Sequence, residues 1–280
     1  MTTLPHCETL TLAVDGITLQ ITLNRPDSRN AMSLTMVEEL VSVFTTIETD
    51  PAVRAVCLRG AGGHFCAGGD IRDMAGARAR AGTPGTETET DPFYSLNRAF
   101  GRMIQQVNES SKVVLAVLEG AVMGGGFGLA CVSDLALAGP TARFGLPETS
   151  LGVIPAQIAP FVVERIGLTQ ARRLALLGQR FDGEEACRLG VVHQSFATDE
   201  ELESALQVAI EQIRHCAPQA TAVTKALLHK VGHRPMADLL DEAAQQFAEA
   251  IRGPEGAEGT TAFMQKRPAA WAVVDESDPG

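Results

Sequence analysis

Two stretches of the chain show the same pattern, in which a short apolar segment leads into clustered glycines. Residues 54–59 (RAVCLR) run into GAGG at 60–63, and residues 112–118 (KVVLAVL) run towards GGG at 124–126. Each apolar segment predicts a buried strand, and each glycine cluster precedes a predicted helix. Because glycine lets a backbone amide point into a cavity, two such loops could jointly hold a developing oxyanion. Either loop by itself is equally well explained by tight packing of a helix on a strand.

The first two thirds of the chain predict alternating strands and helices. Period-two alternation over residues 9–23, interrupted by an Asp-Gly pair, predicts a β-hairpin. An apolar stripe after Ser33 predicts a helix whose first amides that side chain caps. Residues 73–92 lack periodicity and predict a mobile surface loop, followed by a helix over 93–107. This alternation of short elements favours an α/β fold.

The last third of the chain differs in character. From about Leu168 the pattern is almost wholly helical, and no further strands are predicted. Helix starts are predicted at four residues: Thr169, Asp182, Asp199 and Pro218. We therefore predict a core over residues 1–200 that carries the ligand site and a helical C-terminal subdomain over residues 201–280.

The charge balance and the cysteines limit the classes of ligand and compartment. The chain has 23 Lys and Arg against 34 Asp and Glu, a formal net charge of −11, which is opposite in sign to a typical nucleic-acid binder. No basic membrane-surface helix is visible, and the longest apolar stretch, 113–132, is interrupted by Glu119. The six cysteines are scattered without a CxxC pair, and no signal peptide is recognised. We expect a cytoplasmic protein with neither nucleic-acid nor membrane partners.

Motifs for common cofactors and metals are missing from the sequence, whereas one carboxylate, Glu148, is a candidate for proton transfer. The second glycine cluster contains no GxGxxG, no GKS or GKT follows it, and no GxSxG elbow is present. The histidines lack HExxH spacing, so no metal is predicted. Glu148 is flanked by apolar residues and prolines, and burial there would raise its pKa towards the range useful for proton transfer. A solvated loop glutamate is the alternative at this point.

Five groups of motifs occur in a specific order: LNRP at 23–26 with NA at 30–31, FCAGGDI at 65–71, GAVMGGGFG at 120–128 with SDL at 133–135, FGLPE at 144–148 with LG at 151–152, and EGTTAFMQKR at 258–267. In this order and spacing the chain resembles the crotonase (enoyl-CoA hydratase/isomerase) superfamily over nearly its whole length. The resemblance implies an α/β fold, a crotonase-like spiral of ββα turns with a helical C-terminal trimerisation subdomain. It also implies a homotrimer or a dimer of trimers. The substrate would be an acyl-CoA thioester, with coenzyme A part of that substrate and no separate cofactor.

Carried over by position, the resemblance assigns the oxyanion hole to the backbone amides of Gly69 and Gly125, and acid–base catalysis to Glu148. The implied CoA- and substrate-binding residues are Arg25, Ser28, Arg29, Ala67, Gly68, Asp70, Ile71, Arg72, Gly124, Phe263 and Lys266. Within this set the adenine would meet Ala67, and Ile71 would flank the pantetheine entrance together with its neighbour Arg72.

The negative net charge has a consequence for binding CoA, which is itself a polyanion. A protein with a net charge of −11 cannot attract this ligand by its overall field, so a few local basic residues must do so. The candidates are Arg25, Arg29, Arg72 and Lys266. Ser28 lies in the segment that would border the nucleotide, and Phe263 would help Lys266 to close over CoA from a neighbouring helix or subunit.

The chain departs from the two-glutamate hydratases of the superfamily at Gly128, where those enzymes carry the second acid. Residues 152–163 (GVIPAQIAPFVV) resemble the hydratases of methylglutaconyl-CoA and isohexenylglutaconyl-CoA. We therefore expect syn addition of water to a 2-enoyl-CoA, with Glu148 as the single acid–base group and residues 73–100 forming the acyl pocket wall. Because single-glutamate members include isomerases, a Δ3,Δ2-enoyl-CoA isomerase is the alternative. A scaffold or RNA-binding protein of crotonase fold is the non-enzymatic alternative, which the acidic charge disfavours.

Overall fold

A β-hairpin begins the larger of the two sheets in this computed structural model, which describes residues 2–81 and 91–273. The hairpin pairs β1 (Leu10–Asp15) with β2 (Thr18–Leu23) in antiparallel register, with Asp15 opposite Thr18. Gly16, in the two-residue turn, has φ +55°, a left-handed conformation that glycine adopts without a steric penalty. The hairpin predicted from the alternating pattern is confirmed.

The later strands extend this sheet and build a second, smaller one. They are β3 (Ala55–Gly60), β4 (Val113–Leu118), β5 (Ala121–Met123), β6 (Leu135–Ala138), β7 (Arg143–Gly145), β8 (Arg180–Asp182) and β9 (Gln194–Ser195). The larger sheet has the order β1-β2-β3-β4-β6-β9 and is parallel from β2 onward, whereas the smaller has the order β5-β7-β8. Because parallel strands end at one edge of a sheet, the glycine loops that follow β3 and β4 lie at the same edge.

Ten helices of four residues or more in a regular α conformation surround the two sheets in the described part of the chain. They are α1 (Leu34–Ile47), α2 (Ile71–Ala81), α3 (Pro92–Glu109), α4 (Gly125–Val132), α5 (Ala159–Leu177), α6 (Gly183–Leu189), α7 (Asp199–His215), α8 (Pro218–Leu228), α9 (Met236–Arg252) and α10 (Pro254–Gln265). Ser33 caps α1 as predicted, because its side chain accepts a hydrogen bond from the Met36 amide at 3.2 Å.

Two expectations about secondary structure were wrong. Residues 73–81 belong to α2 rather than to a loop, because this alanine- and arginine-rich segment has high helix propensity and Asp73 lies in the first turn, where the helix dipole favours an acid. The rest of that predicted loop, residues 82–90, lies outside the described residues. Strands also continue beyond Leu168: β8 pairs with β7 and β9 with β6. Strands of two or three residues are too short to show a period in the sequence.

Helix α5 contains a break that explains a misplaced helix start. The helix spans Ala159–Leu177, but Gly167 has φ +75° and ψ 157°, which interrupts the helical conformation. The predicted start at Thr169 therefore lies just after the break. The starts at Asp182 and Pro218 are confirmed to within one residue, and Thr198 rather than Asp199 caps α7.

Arg54 ties the C-terminal helices to the start of β3. Its guanidinium donates to the carbonyl oxygens of Ile213 (2.8 Å) and Arg214 (2.9 Å) at the end of α7, and to that of Trp271 (2.8 Å). Three apolar residues of α7, Leu202, Leu206 and Ile210, pack against the larger sheet. Their buried partners on the strands are Ala55, Cys57, Leu115, Val117 and Leu137. The division into two domains at residue 200 stays a prediction. In the described ranges, none of the helices has the length and apolar character needed to cross a membrane.

Candidate active site

Asn30 joins the loop after the hairpin to the loop after β3. Its side chain is fully buried, and its Nδ2 donates to the carbonyl oxygens of Ala61 (2.9 Å) and His64 (2.6 Å). Its Oδ1 accepts from the Arg25 amide at 2.8 Å. No role was predicted for Asn30, since its burial and its φ of +56°, a left-handed conformation that asparagine adopts more readily than most residues, are visible only in the structure. This asparagine sets the position of the first glycine loop.

Backbone hydrogen bonds complete the attachment of that loop. The Ala67 amide donates to the Arg29 carbonyl oxygen at 3.0 Å, and the Met32 amide donates to that of Gly68 at 2.8 Å. Met32 and Gly69 form a parallel bridge. The structure therefore brings the predicted segments that contain Arg25, Ser28 and Arg29 next to residues 67–70, although these segments are about 40 positions apart in sequence.

The second glycine loop attaches to the first through Cys66. The Cys66 amide donates to the Ala121 carbonyl oxygen at 2.8 Å, and the Met123 amide donates to that of Cys66 at 2.9 Å. His64 Nδ1 also accepts from the Ala121 amide at 3.0 Å. As a result, a Cβ built on Gly124 would lie 3.5 Å from the Gly68 Cα. The pairs Gly68–Gly69 and Gly124–Gly125, which come from separate loops, therefore lie side by side.

Two amides in these loops are without an acceptor. Over residues 2–81 and 91–273, no hydrogen-bond acceptor is found for the backbone N–H of Gly69 or of Gly125. Gly125 is the first residue of α4, so its amide belongs to the unpaired donors of a helix start. The side chains above them are apolar: a Cβ on Gly69 would lie 3.1 Å from Met74 Cε, and one on Gly125 would lie 3.1 Å from Phe100 Cε2. Both glycines thus lie beside apolar side chains.

The Glu148 carboxylate lies beside these glycines. Glu148 begins a single 3₁₀ turn, Glu148–Leu151, directly after Pro147. A Cβ built on Gly124 would lie 2.8 Å from Glu148 Oε1. Glu148 Oε2 is buried without a hydrogen-bond partner in the described part of the chain, and burial raises the pKa of this carboxyl above its ordinary 4.5. The side chain is therefore half-buried and aimed at the glycine loops, which excludes the solvated-loop alternative.

Gly128, where the two-glutamate hydratases would carry their second acid, has no space for a side chain. A Cβ at this position would lie 2.4 Å from Ile158 Cγ2 and 2.9 Å from Ile104 Cδ1. Both isoleucine side chains are fully or almost fully buried. Among the described residues, Glu148 is therefore the carboxylate that contacts the second glycine loop, and two isoleucines occupy the volume that an acid at position 128 would need.

Asp70 binds two of the basic residues that the sequence assigned to CoA. Its Oδ2 lies 2.7 Å from Arg25 Nη2, and its Oδ1 accepts from the Arg72 amide at 2.9 Å and lies 3.4 Å from Arg72 Nε. Burial by itself would raise the pKa of this carboxyl, but the Arg72 amide and the Arg25 guanidinium outweigh it and lower the pKa. Asp70 is 7% exposed. Arg25 is therefore held inside the loop assembly, whereas Ile71 and Arg29 are exposed at its surface.

Phe263 and Lys266 are not joined to this cluster within the chain. Phe263 is 86% exposed on α10, and Lys266 caps the end of that helix with φ +53°. No hydrogen bond or ion pair of the described residues connects either of them to the glycine loops or to Glu148. The expectation that they close over CoA stays a prediction. No cluster of His, Cys, Asp and Glu suited to a metal ion occurs in the described ranges.

Comparisons with known proteins show the family and the fold of the chain. A family model described as enoyl-CoA hydratase/isomerase matches residues 15–273. A solved enoyl-CoA hydratase/isomerase from Marinobacter aquaeolei is 71% identical, with a TM-score of 0.92 over 95% of this chain and 100% of its own. Pseudomonas aeruginosa AtuE is 57% identical, with a TM-score of 0.91 over the same shares. The 2,3-dehydroadipyl-CoA hydratase of Escherichia coli (strain K12) is 30% identical over 250 residues, which are 89% of this chain and 92% of its own.

These matches extend over almost the full length of the chain, and each solved structure retains the arrangement of strands and helices described above. The predicted α/β fold of the crotonase type is confirmed. So is the predicted enzyme class, an enoyl-CoA hydratase. The chain belongs to the enoyl-CoA hydratase/isomerase family.

Proposed function

We propose that the protein adds water across the 2,3 double bond of an enoyl-CoA thioester, with Glu148 as its single acid–base group. The observation that carries this proposal is the position of one half-buried carboxylate, with an unpartnered Oε2, beside the unpaired amides of two glycine loops. A buried acid of raised pKa is suited to exchange protons near neutral pH. Donors fixed before the reaction stabilise charge that develops on a carbonyl oxygen.

The steps balance with one carboxylate. Glu148 takes a proton from water as the water oxygen bonds to C3, and the C2–C3 π electrons move towards the thioester. The thioester oxygen then carries the enolate charge and accepts hydrogen bonds from the Gly69 and Gly125 amides. When the C–O double bond reforms, C2 takes the proton back from Glu148, which regenerates the carboxylate. Because one group handles both the oxygen and the hydrogen, they add to the same face of the double bond, which is syn addition.

The substrate that we propose is a branched glutaconyl-type ester, which carries a second carboxylate at the far end of its acyl chain. Support comes from residues 152–163 and from the glycine at 128, both of which resemble hydratases of such esters. The relative from Escherichia coli, a 2,3-dehydroadipyl-CoA hydratase, is also named for the thioester of a dicarboxylic acid. A substrate carboxylate would take part in positioning the water that a second glutamate orients in other members.

Isomerisation is the second candidate, and the closed space at Gly128 is the observation that favours it. One carboxylate and an oxyanion hole suffice to move a proton from C2 to C4 of a 3-enoyl-CoA. The two activities share every residue described above, so they differ only in whether water is bound near C3.

A product assay separates these candidates. Purified enzyme is incubated with crotonyl-, 3-methylcrotonyl-, 3-methylglutaconyl- and isohexenylglutaconyl-CoA and with a 3-enoyl-CoA, and the products are identified by mass spectrometry. Hydration is expected to add the mass of one water, with the highest kcat/KM for a glutaconyl-type ester. Conversion of the 3-enoyl ester to a 2-enoyl ester, with no hydroxyacyl product from any 2-enoyl ester, would establish the isomerase instead.

We further propose a homotrimer or a dimer of trimers located in the cytoplasm. Support for assembly comes from large apolar side chains that the C-terminal helices expose: Leu228, Met236, Leu240, Phe247, Phe263 and Met264. Such surface is unusual for a chain that acts alone. The free state of all six cysteines agrees with a reducing compartment. Light scattering that gives the mass of a single chain would contradict the assembly.

A further inference from the structure

A polar cluster on α3 lies outside the catalytic residues. Gln157 donates through Nε2 to Asn97 Oδ1 at 2.8 Å, and its Oε1 lies 3.5 Å from Arg98 Nη1. The Gln157 side chain rests directly on Gly101, where a Cβ would lie only 1.9 Å from Oε1. Because Gly101 has no side chain, the amide packs against the helix surface and comes between Asn97 and Arg98. The contacts among these three polar side chains therefore depend on the absence of a side chain at the buried Gly101.

This cluster adjoins the space between Glu148 and the two glycine loops, which we call the catalytic space. Phe100, on the same helix, lies over Gly125 and its unpaired amide. One turn further, Ile104 fills the space beside Gly128. Residues two apart on an α-helix do not face each other, so Arg98 reaches this face of α3 only through its long side chain, whose Nη1 lies 2.7 Å from the place of a Cβ on Gly101. Helix α3 thus carries Arg98, then Phe100 beside Gly125, and then Ile104 beside Gly128.

Gln157 contacts Gly101 and Arg98 of α3 from the segment that follows Glu148. It directly precedes Ile158, whose Cγ2 closes the space at Gly128. It also follows the turn that begins with Glu148 by a few residues. The segment that carries the catalytic carboxylate therefore also delivers the amide that contacts Arg98.

Arg98 is half-buried without an acidic partner. Within residues 2–81 and 91–273, no carboxylate oxygen lies within 4.0 Å of its guanidinium, and its contact with Gln157 is long. The chain has an excess of acids and a net charge of −11. The half-buried Arg25 and Arg173 are paired with acids, and the half-buried Arg54 and Arg165 donate to backbone carbonyl oxygens, whereas Arg98 has neither kind of partner among the described residues. A half-buried cation that lacks a counter-ion is suited to bind an anionic ligand group.

We propose that Arg98 binds the distal carboxylate of a dicarboxylic enoyl-CoA substrate, and that Gln157 and Asn97 orient its guanidinium. This inference rests on the proposed function and names the residue that selects the substrate class. The planar guanidinium of arginine donates two parallel hydrogen bonds to a carboxylate, which gives both charge pairing and orientation. Gln157, which contacts the guanidinium, directly precedes Ile158 beside Gly128, so an acyl chain that extends past the thioester along α3 would end near Arg98. A neutral acyl chain makes no such contact, so the enzyme discriminates by charge.

The test compares two esters and two variants. Arg98→Met retains the aliphatic length but removes the charge, and Arg102→Met, one turn further on the exposed side of α3, is the matched control. For 3-methylglutaconyl-CoA, kcat/KM is expected to fall about 10- to 100-fold in Arg98→Met, mainly through KM, as expected for loss of a charge-assisted pair. For 3-methylcrotonyl-CoA, which lacks the distal carboxylate, it should change less than about twofold. The control should leave both values within about twofold of wild type.

A binding measurement separates failure of this inference from failure of the proposed function. Calorimetry with the unreactive esters glutaryl-CoA and butyryl-CoA reports the carboxylate preference without turnover. If wild type hydrates no dicarboxylic ester but prefers glutaryl-CoA, and Arg98→Met loses that preference, the inference holds and the proposed function is wrong. If Arg98→Met keeps the wild-type preference, or weakens both esters equally, Arg98 does not bind the carboxylate. Equal affinity of wild type for the two esters overturns the inference as well.

Discussion

The Glu148 carboxylate lies against Gly124 because that glycine has no side chain. The place of a Cβ on Gly124 is 2.8 Å from Glu148 Oε1, closer than a real carbon would allow, and Gly124 also has φ +50°. The carboxylate therefore occupies the volume that any other residue at 124 would take. This contact joins the 3₁₀ turn that begins at Glu148 to the loop that presents the Gly125 amide.

Replacement of Glu148 by glutamine should stop the reaction while leaving ligand binding intact. The amide can neither accept nor return a proton at the reacting carbons, so we expect kcat to fall by about 10² to 10⁴. Affinity for a saturated acyl-CoA should stay within about threefold, because glutamine keeps the shape of the side chain. Steady-state rates and calorimetry measure the two quantities. Glu164→Gln, at an exposed position of α5, is the control and should be fully active. A Glu148→Gln enzyme with half the wild-type activity would refute the assignment.

The same substitution should affect stability in a pH-dependent way. The folded state raises the pKa of Glu148 above its ordinary 4.5 through burial, so the ionised side chain opposes folding at neutral pH. Below pH 4.5 the carboxyl is protonated in both the folded and the unfolded state, and this penalty disappears. The Tm of Glu148→Gln minus that of wild type is therefore expected to increase between pH 4 and pH 7. A difference that is constant or decreases over this range would mean that burial does not destabilise the ionised form.

Introduction of a side chain at Gly128 should destabilise the protein rather than restore a second catalytic acid. A Cβ there would meet Ile158 Cγ2 at 2.4 Å, so we expect Gly128→Ala to lower the free energy of unfolding by about 1–3 kcal/mol. Denaturant unfolding of Gly128→Ala, Ile158→Ala and the double variant measures the coupling. Because Ile158→Ala removes the clashing methyl group, the double variant should lose at least 1 kcal/mol less than the sum of the single variants. Additive losses would show that the two positions do not compete for space.

Loss of the Asp70 charge should loosen the first glycine loop. Asp70→Asn leaves the Arg25 guanidinium, 18% exposed, without its counter-ion, which is expected to lower the free energy of unfolding by about 3 kcal/mol. Since residues 67–70 hold the Gly69 amide, kcat/KM should also fall. Arg72→Met removes only the partner that is 75% exposed, and a change below about 0.5 kcal/mol is expected. Equal stabilities of Asp70→Asn and Arg72→Met would contradict the role of the Arg25 pair.

Much of the fold could be predicted from local patterns. The hairpin follows from alternation around an Asp-Gly turn, and α1 follows from Ser33 and an apolar stripe, because both depend on residues near one another in sequence. The errors fall where local signals are weak or misleading. The alanine-rich α2 contains a glycine, which weakens its helical pattern, and β8 and β9 are too short to display a period.

The sequence alone also determined the chemical groups of the site: two glycine loops after buried strands, a carboxylate at 148 and glycine at 128. Only the tertiary structure decided what these groups can do. Burial of Glu148 Oε2, closure of Gly128 by Ile104 and Ile158, and the amide of Gln157 against Arg98 each depend on contacts between distant parts of the chain. Protonation, available volume and charge pairing are properties of these environments, and local residue preference does not encode them.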